Sequence, residues 1–220
     1  MDHVTDTPLL APSDLDLIAL MSSKICHDII GPVGAIYNGL EILDEDDDGQ
    51  AQGYALDVIR NVTEQASARL KYARFAFGAS GSAGAQIDLA TAEQISREYV
   101  SQTGKHQLEW TGPAGHMPKD KAKLALNLVS SAISCLPRGG RIAVRIEGSA
   151  EVPSFEFRCA GTSARPPQYL TEFVIGVEPP PLDAFTVQAY YTWRLAHQTG
   201  MRIEILKDGE DILIRSKSGS

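Results

Sequence analysis

His27 is the histidine of this chain whose neighbours best suit it to nucleophilic chemistry. It is followed directly by an acid, Asp28, and five residues later by Pro32. A neutral imidazole nitrogen is a competent nucleophile near pH 7, and the carboxylate could orient or activate the ring. The alternative is a surface histidine without a chemical role, which is the commoner case. The other histidines lie in a tail, near turns or late in the last helix: His3, His106, His116 and His197.

The residues around His27 have the spacing of a helix that packs in a bundle. Apolar or small residues recur every three or four positions, which is the pattern of a bundle seam. The members of this seam are Leu15, Ile18, Ser22, Ile25, Ile29, Pro32, Ile36, Gly39 and Leu43. Each helical residue turns by about 100°, so His27, two positions from both Ile25 and Ile29, points away from the seam. The pattern therefore predicts a solvent-exposed imidazole.

The face of the helix that carries His27 continues as a strip of small residues. Gly31, Gly34 and Asn38 follow at four, seven and eleven positions. Each glycine costs a helix roughly 1 kcal/mol relative to alanine, so stability alone does not favour this strip. Bare backbone beside an exposed imidazole leaves room for another protein. We therefore predict a partner-docking surface made of Ile30, Gly31, Gly34 and Asn38, with Arg69 and Tyr72 of the next helix alongside.

Pro32 affects how the helix continues past His27. Proline has no N–H, so Pro32 cannot donate a hydrogen bond to the carbonyl of Asp28. A kinked single helix and two helices that meet at Gly31-Pro32 both fit this residue. The seam continues on both sides of the proline, which favours the single helix.

Two long helices are predicted to form the first domain, residues 14–78. Residues 1–13 read as a tail that ends at Ser13, a good N-cap, and the helices follow at about 14–43 and 51–77 around an acidic loop. One helical hairpin cannot cover its own apolar stripes, whereas two hairpins can pair across a twofold axis. We therefore predict a homodimer with a four-helix bundle. Residues 79–86 are small and flexible, and are interpreted as a linker.

Residues 87–220 are predicted to form a second, mixed domain. Helices are expected at about 89–102, 119–136 and 185–198, and strands at about 107–110, 140–147 and 154–159, before a closing hairpin with Asp208-Gly209 at its turn. Helices grouped with an antiparallel sheet give an α+β layered fold.

Composition excludes several classes of function. The net charge is −8 and no basic stripe is present, which argues against a nucleic-acid partner. The apolar runs are far shorter than a membrane span, and the N-terminus lacks a signal pattern. Three widely spaced cysteines give neither a disulfide framework nor a metal pattern. We expect a cytoplasmic protein with reduced thiols and no metal site or membrane contact.

At this level of detail the chain resembles the core of a sensor histidine kinase. The resemblance covers about residues 14–216 and rests on a helical hairpin with an HD…P motif, followed by NLVSSA, RIAV and FEFRCAGTSARPP. It implies a dimerisation and histidine-phosphotransfer bundle followed by an ATPase-like α/β sandwich. In this alignment His27 corresponds to the phosphorylated residue, Asp28 to its acidic neighbour and Pro32 to the kink.

The residues with which such kinases bind nucleotide are missing. Ser131 stands where the resemblance would place the magnesium-binding asparagine, although Asn127 lies one turn earlier. Cys159 replaces the aspartate that contacts adenine, and Glu178 to Pro181 replace the glycine-rich phosphate loop. Prolines cannot supply the N–H groups of a phosphate cradle. The second domain is therefore expected to lack a nucleotide site, and the chain to lack autokinase activity.

The string CHDIIGPVGAIYNGLEILDE is similar to the ChpT-type histidine phosphotransferases of alphaproteobacterial phosphorelays. This resemblance implies a dimeric shuttle in cell-cycle control. Phosphoryl groups would pass from the receiver of a CckA-like hybrid kinase through His27 to CtrA-like and CpdR-like response regulators, with Mg²⁺ supplied by the receiver. Asp28 would hold the other ring nitrogen, and Lys24 would offset phosphate charge unless it is merely solvated.

Two other functions remain open on the sequence. An ATP-dependent kinase with a divergent nucleotide pocket would bind and use ATP directly. A non-catalytic dimeric scaffold, in which His27 is incidental, would carry no acid-labile phosphate.

Overall fold

The computed structural model describes residues 12–46, 49, 51–78, 85–176 and 181–219. Most of the predicted tail, parts of the acidic loop and of the linker, and Glu178 to Pro180 of the proline-rich segment lie outside these residues. A hairpin of two long helices precedes a mixed layer of helices and strands. The predicted α+β class is confirmed.

The hairpin consists of α1 (Asp14–Glu45) and α2 (Gln52–Ala76). The Ser13 side chain caps α1, because its oxygen accepts a hydrogen bond from the Asp16 N–H at 3.1 Å. α1 runs through Pro32 without interruption, which confirms the single helix. The two helices approach closely at Gly39, where a Cβ atom would lie 2.6 Å from Ile59 Cγ1.

The second part is a two-layer arrangement of helices on a five-stranded sheet. The strands are β1 (Gln86–Asp88), β2 (His106–Thr111), β3 (His116–Pro118), β4 (Gly140–Gly148), β5 (Pro153–Ala160), β6 (Met201–Asp208) and β7 (Asp211–Ser218). The order in the five-stranded sheet is β2-β4-β5-β7-β6, and within it only β2 and β4 pair in parallel. The helices are α3 (Leu89–Ser101), α4 (Lys119–Cys135), α5 (Gln168–Ile175) and α6 (Val187–Gln198).

The core lies between α4 and one face of the sheet. Alternate residues of β5, including Phe155 and Phe157, are buried, and they meet a helix whose Leu124 and Leu128 are also fully buried. Within the described part of the chain, no helix is long and apolar enough to cross a membrane.

The hairpin is fixed to the second domain through Tyr72 of α2. The Tyr72 hydroxyl donates a hydrogen bond to the Leu126 carbonyl of α4, and its ring stacks on Tyr99 of α3 with centroids 3.9 Å apart. Tyr72 is only 2% exposed. The prediction that Tyr72 belongs to a docking surface is therefore wrong. No local sequence pattern indicates that α3 and α4 cover this part of α2.

Candidate functional site

His27 lies on the outer face of α1, with 61% of its side chain exposed. The predicted exposure of the imidazole is confirmed. The ring is not isolated, because Phe185 of the second domain meets it edge to face, with ring centroids 5.1 Å apart and planes inclined by 74°.

A short turn before α6 presents Phe185 to the imidazole. The Asp183 carboxylate accepts hydrogen bonds at 2.8 Å from the N–H groups of Phe185 and Thr186. The bond from Thr186, followed by that from Phe185, lowers the pKa of Asp183. Phe185 was not predicted as a site residue, because no local sequence pattern relates this turn to His27.

Asp28 lies between two cationic or potentially cationic groups. Its Oδ2 atom accepts a hydrogen bond from the Lys24 ammonium, one helical turn away. Its Oδ1 atom is 3.8 Å from His27 Nδ1, which is longer than a hydrogen bond. The carboxylate is thus an electrostatic neighbour of the ring. Lys24 is paired with Asp28 rather than freely solvated.

The backbone of Asp28 has a partner on the second helix. Pro32 has no N–H, so the Asp28 carbonyl lacks its usual intrahelical donor. Arg69 of α2 supplies a donor instead, with its Nη1 atom 2.7 Å from the Asp28 carbonyl oxygen. Arg69 is half-buried and its guanidinium faces α1, so it is engaged within the hairpin and not at the predicted docking surface.

Tyr99 of α3 lines the same cavity as Lys24 and lies near Asp28 and Arg69. Shielding of its hydroxyl from solvent raises the pKa of Tyr99. A hydrogen bond with Ser130 lowers this pKa, the negative charge of Asp28 raises it, and the positive charge of Arg69 lowers it. Tyr99 is therefore a neutral phenol near the charged side chains of Asp28 and Arg69.

The small-residue strip beyond His27 is open. A Cβ atom built on Gly31 or Gly34 would meet nothing within 4 Å apart from its chain neighbours and the backbone of its own helix. Ile30 and Asn38 are exposed on the same helix. Of the six predicted docking residues, these four lie at an accessible surface near His27.

Asn127, Ser131 and Cys159, which the sequence resemblance relates to the nucleotide ligands of kinases, are buried. The Ser131 hydroxyl donates to the Asn127 carbonyl at 3.1 Å, and the buried Asn127 amide donates to the carbonyls of Ala76 and Lys123 at 3.1 and 2.9 Å. Cys159 is fully buried, and hydrogen bonding with its thiol raises the pKa of Cys135. Among the residues described, no three His, Cys, Asp or Glu side chains are placed to hold a metal ion.

Comparisons with known proteins give consistent matches. A family model described as the histidine phosphotransferase C-terminal domain matches residues 89–211. The protein phosphotransferase ChpT of Brucella abortus (strain 2308) is 46% identical over 206 residues, covering 93% of this chain and 97% of that protein. A solved structure of a bacterial phosphotransferase is 44% identical with a TM-score of 0.87, covering 94% of this chain and 98% of that one. Both similarities extend over hairpin and second domain together.

Proposed function

The chain belongs to the histidine phosphotransferase family, and we propose that it relays phosphoryl groups between receiver-domain aspartates through a phosphohistidine at His27. The observation that carries this assignment is the exposed His27 imidazole, which lies beside a carboxylate and an open glycine surface on one helix. An exposed nucleophile with room for a second protein is what transfer between proteins requires.

We propose that the Nε2 atom of His27 is the nucleophile, since Nδ1 faces Asp28. The Nε2 lone pair attacks the phosphorus of an aspartyl phosphate on the docked receiver. The N–P bond forms as the P–O bond to the aspartate breaks, and the bonding electrons stay with the released carboxylate. Nδ1 keeps its proton, and the resulting positive ring charge is balanced by Asp28. The reverse reaction loads the next receiver.

The docking surface is assigned to Ile30, Gly31, Gly34 and Asn38. Their exposure and the free space above both glycines support it, because a receiver can approach the helix backbone closely there. Positioning and charge neutralisation supply most of the catalysis in phosphoryl transfer. Mg²⁺ is a component of the receiver in this scheme, and Lys24 acts through Asp28.

The second domain is proposed to bind no ATP, so phosphoryl groups enter only from a protein donor. Cys159 has no carboxylate with which to contact an adenine amine, and its thiol is buried beside Cys135. Ser131 is buried too, and its hydroxyl is bonded to its own helix. Leaving a nucleotide's polar edge unpaired costs binding free energy at each such position.

We further propose that the working form is a cytoplasmic homodimer with a four-helix bundle. An apolar groove of about 480 Å³ lies where the first turns of α1, the last turns of α2 and Tyr191 of α6 meet, and its other apolar lining residues include Leu17, Ile18, Met21, Ile25, Leu70 and Phe77. A second hairpin would cover this groove. The proposed partners are a CckA-like hybrid kinase receiver and CtrA-like and CpdR-like response regulators in cell-cycle control.

A stepwise relay experiment tests this function. The receiver of a CckA-like kinase, charged with labelled phosphate and freed of the kinase, is mixed with the full chain, and a CtrA-like regulator is added later. Label should move to the chain and then to the regulator. A His27→Gln variant should acquire no label and should pass none to the regulator. Incubation with labelled ATP alone should leave the chain unlabelled. Label acquired from ATP would make it a kinase, and no label from either donor would make it a scaffold.

A further inference from the structure

We propose that Arg69 is a positioning residue for His27, because it replaces from α2 the hydrogen bond that Pro32 removes from α1. The inference rests on the proposed function and assigns to Arg69 a role other than contact with the receiver. The phosphoacceptor turn is thereby held by both helices of the hairpin.

The first step is the gap in the α1 hydrogen-bond ladder. In an α-helix the carbonyl of residue i accepts from the N–H of residue i+4, which for Asp28 is residue 32. Pro32 has no N–H, and the Asp28 carbonyl is partly buried. A carbonyl left without a donor at this depth would favour local distortion of the turn, and this turn carries His27.

The second step is the donor that fills the gap. Arg69 Nη1 lies 2.7 Å from the Asp28 carbonyl oxygen, which is the length of a strong, charge-assisted hydrogen bond. The contact joins α2 to the residue next to His27. The bond therefore sets how far the His27 turn stands from α2, and with it the direction of the imidazole.

The third step is the support behind Arg69. The guanidinium is close enough to Tyr99 to lower the pKa of its hydroxyl. Tyr99 stacks on Tyr72, whose hydroxyl is bonded to the Leu126 carbonyl of α4. Contacts thus run from the buried α4 through Tyr72 to Tyr99, and the charge of Arg69 acts on Tyr99 while its Nη1 atom bonds the Asp28 carbonyl.

The proline offers a direct test. Replacing Pro32 by alanine restores an N–H at position 32, which can donate to the Asp28 carbonyl and make Arg69 dispensable. Arg69→Met, Pro32→Ala and the double variant are compared with wild type. Arg60→Met is the control, since Arg60 is an exposed arginine of the same helix paired with Asp57.

Two rates are measured for each variant with the full chain. One is transfer from a phosphorylated receiver as a function of receiver concentration, and the other is receiver-free loading by phosphoramidate. Arg69→Met should lower the maximal rate and the phosphoramidate rate about tenfold, the effect of one charged hydrogen bond, without raising the half-saturating receiver concentration. The double variant should regain most of both rates, and Arg60→Met should match wild type.

Other outcomes overturn the proposal. A raised half-saturating concentration with an unchanged maximal rate would make Arg69 a docking residue. If Arg69→Met lowers the rates equally with Pro32 present and with Pro32 replaced by alanine, the hydrogen bond to the Asp28 carbonyl does not explain the effect of Arg69. If Arg69→Met does not fold, Arg69→Lys, which retains one donor on a shorter arm, is measured instead and should show the same rescue. A wild-type chain loaded by neither donor would contradict the proposed function itself.

Discussion

His27 has Asp28 Oδ1 3.8 Å from its Nδ1 atom and the Phe185 ring against its edge. The carboxylate is well placed to stabilise positive charge on the ring, because its other oxygen is already held by Lys24. The aromatic contact restricts ring rotation. Charge and orientation at His27 therefore come from different parts of the chain.

Replacing Asp28 by asparagine should slow phosphoryl transfer by roughly fivefold or more, since two unit charges about 4 Å apart interact by about 1 kcal/mol even in bulk water. The shape of the side chain is nearly preserved, so the loss should appear in the maximal rate measured with saturating phosphorylated receiver. Asp57→Asn is the matched control, because Asp57 is an exposed carboxylate of α2 that is paired with Arg60, and it should leave the rate unchanged. A rate for Asp28→Asn equal to that of wild type would contradict the assigned role.

Gly34→Leu should weaken receiver binding and at the same time stabilise the fold by about 0.5–1 kcal/mol, because leucine is the better helix former and the site is empty within 4 Å. Gly53→Leu on α2 is the control, since a Cβ there also meets nothing within 4 Å. Binding to a receiver is measured by calorimetry and stability by thermal unfolding. Unchanged binding with reduced stability would mean that Gly34 serves internal packing.

Among the elements, α1 and α2 retain exposed apolar side chains even after they pack against each other. Leu15 and Ile18 at the start of α1 and Leu70 on α2 are exposed in the single chain. Ile18 and Leu70 also line an apolar groove at this end of the hairpin. An apolar surface of this kind is typical of an interface.

Leu70→Glu should convert the predicted homodimer into a monomer, because burying an unpaired charge in the bundle seam costs several kcal/mol. Leu70 is 49% exposed in the single chain and Leu206, on the last hairpin, is 42% exposed, so Leu206→Glu is a matched control outside the bundle. Light scattering should give half the wild-type mass for Leu70→Glu and the wild-type mass for Leu206→Glu. A monomeric wild-type protein at micromolar concentration would contradict the bundle.

Elements with long, regular patterns were predictable, and short ones were not. The sequence patterns located α1, α4 and the last hairpin to within two residues. β1 and β3 have three residues each and pair with one another, although α3 and β2 separate them along the chain. No local sequence pattern encodes such a pairing. α5 has eight residues after two prolines, and no helix was predicted there.

In the molecule as a whole, the second domain is fastened to the hairpin near His27. Tyr72 and the Asn127 amide reach across this junction to carbonyls of the other part. Phe185 adds a contact at His27 itself. The sequence predicted both parts and the exposed histidine, but it could not predict how they face each other, since that depends on long-range contacts of single side chains.

Tyr72→Phe should lower the free energy of unfolding by about 1 kcal/mol, the usual contribution of one hydrogen bond, and so lower Tm by roughly 2–4 °C. The ring and its stacking on Tyr99 remain. Tyr37→Phe, on the exposed face of α1, is the control and should leave Tm unchanged. Equal unfolding curves for wild type and Tyr72→Phe would show that the bond to Leu126 does not help to hold the two parts together.

The measurement that tests the relay most directly is the position of the phosphoryl group after the chain has been loaded by a phosphorylated receiver. Mass spectrometry of peptides prepared at neutral pH, which preserves phosphohistidine, should find one phosphoryl group per chain, on His27. The modification should disappear on acid treatment and be absent from His27→Gln. A phosphoryl group on another residue, or one retained in His27→Gln, would contradict the account.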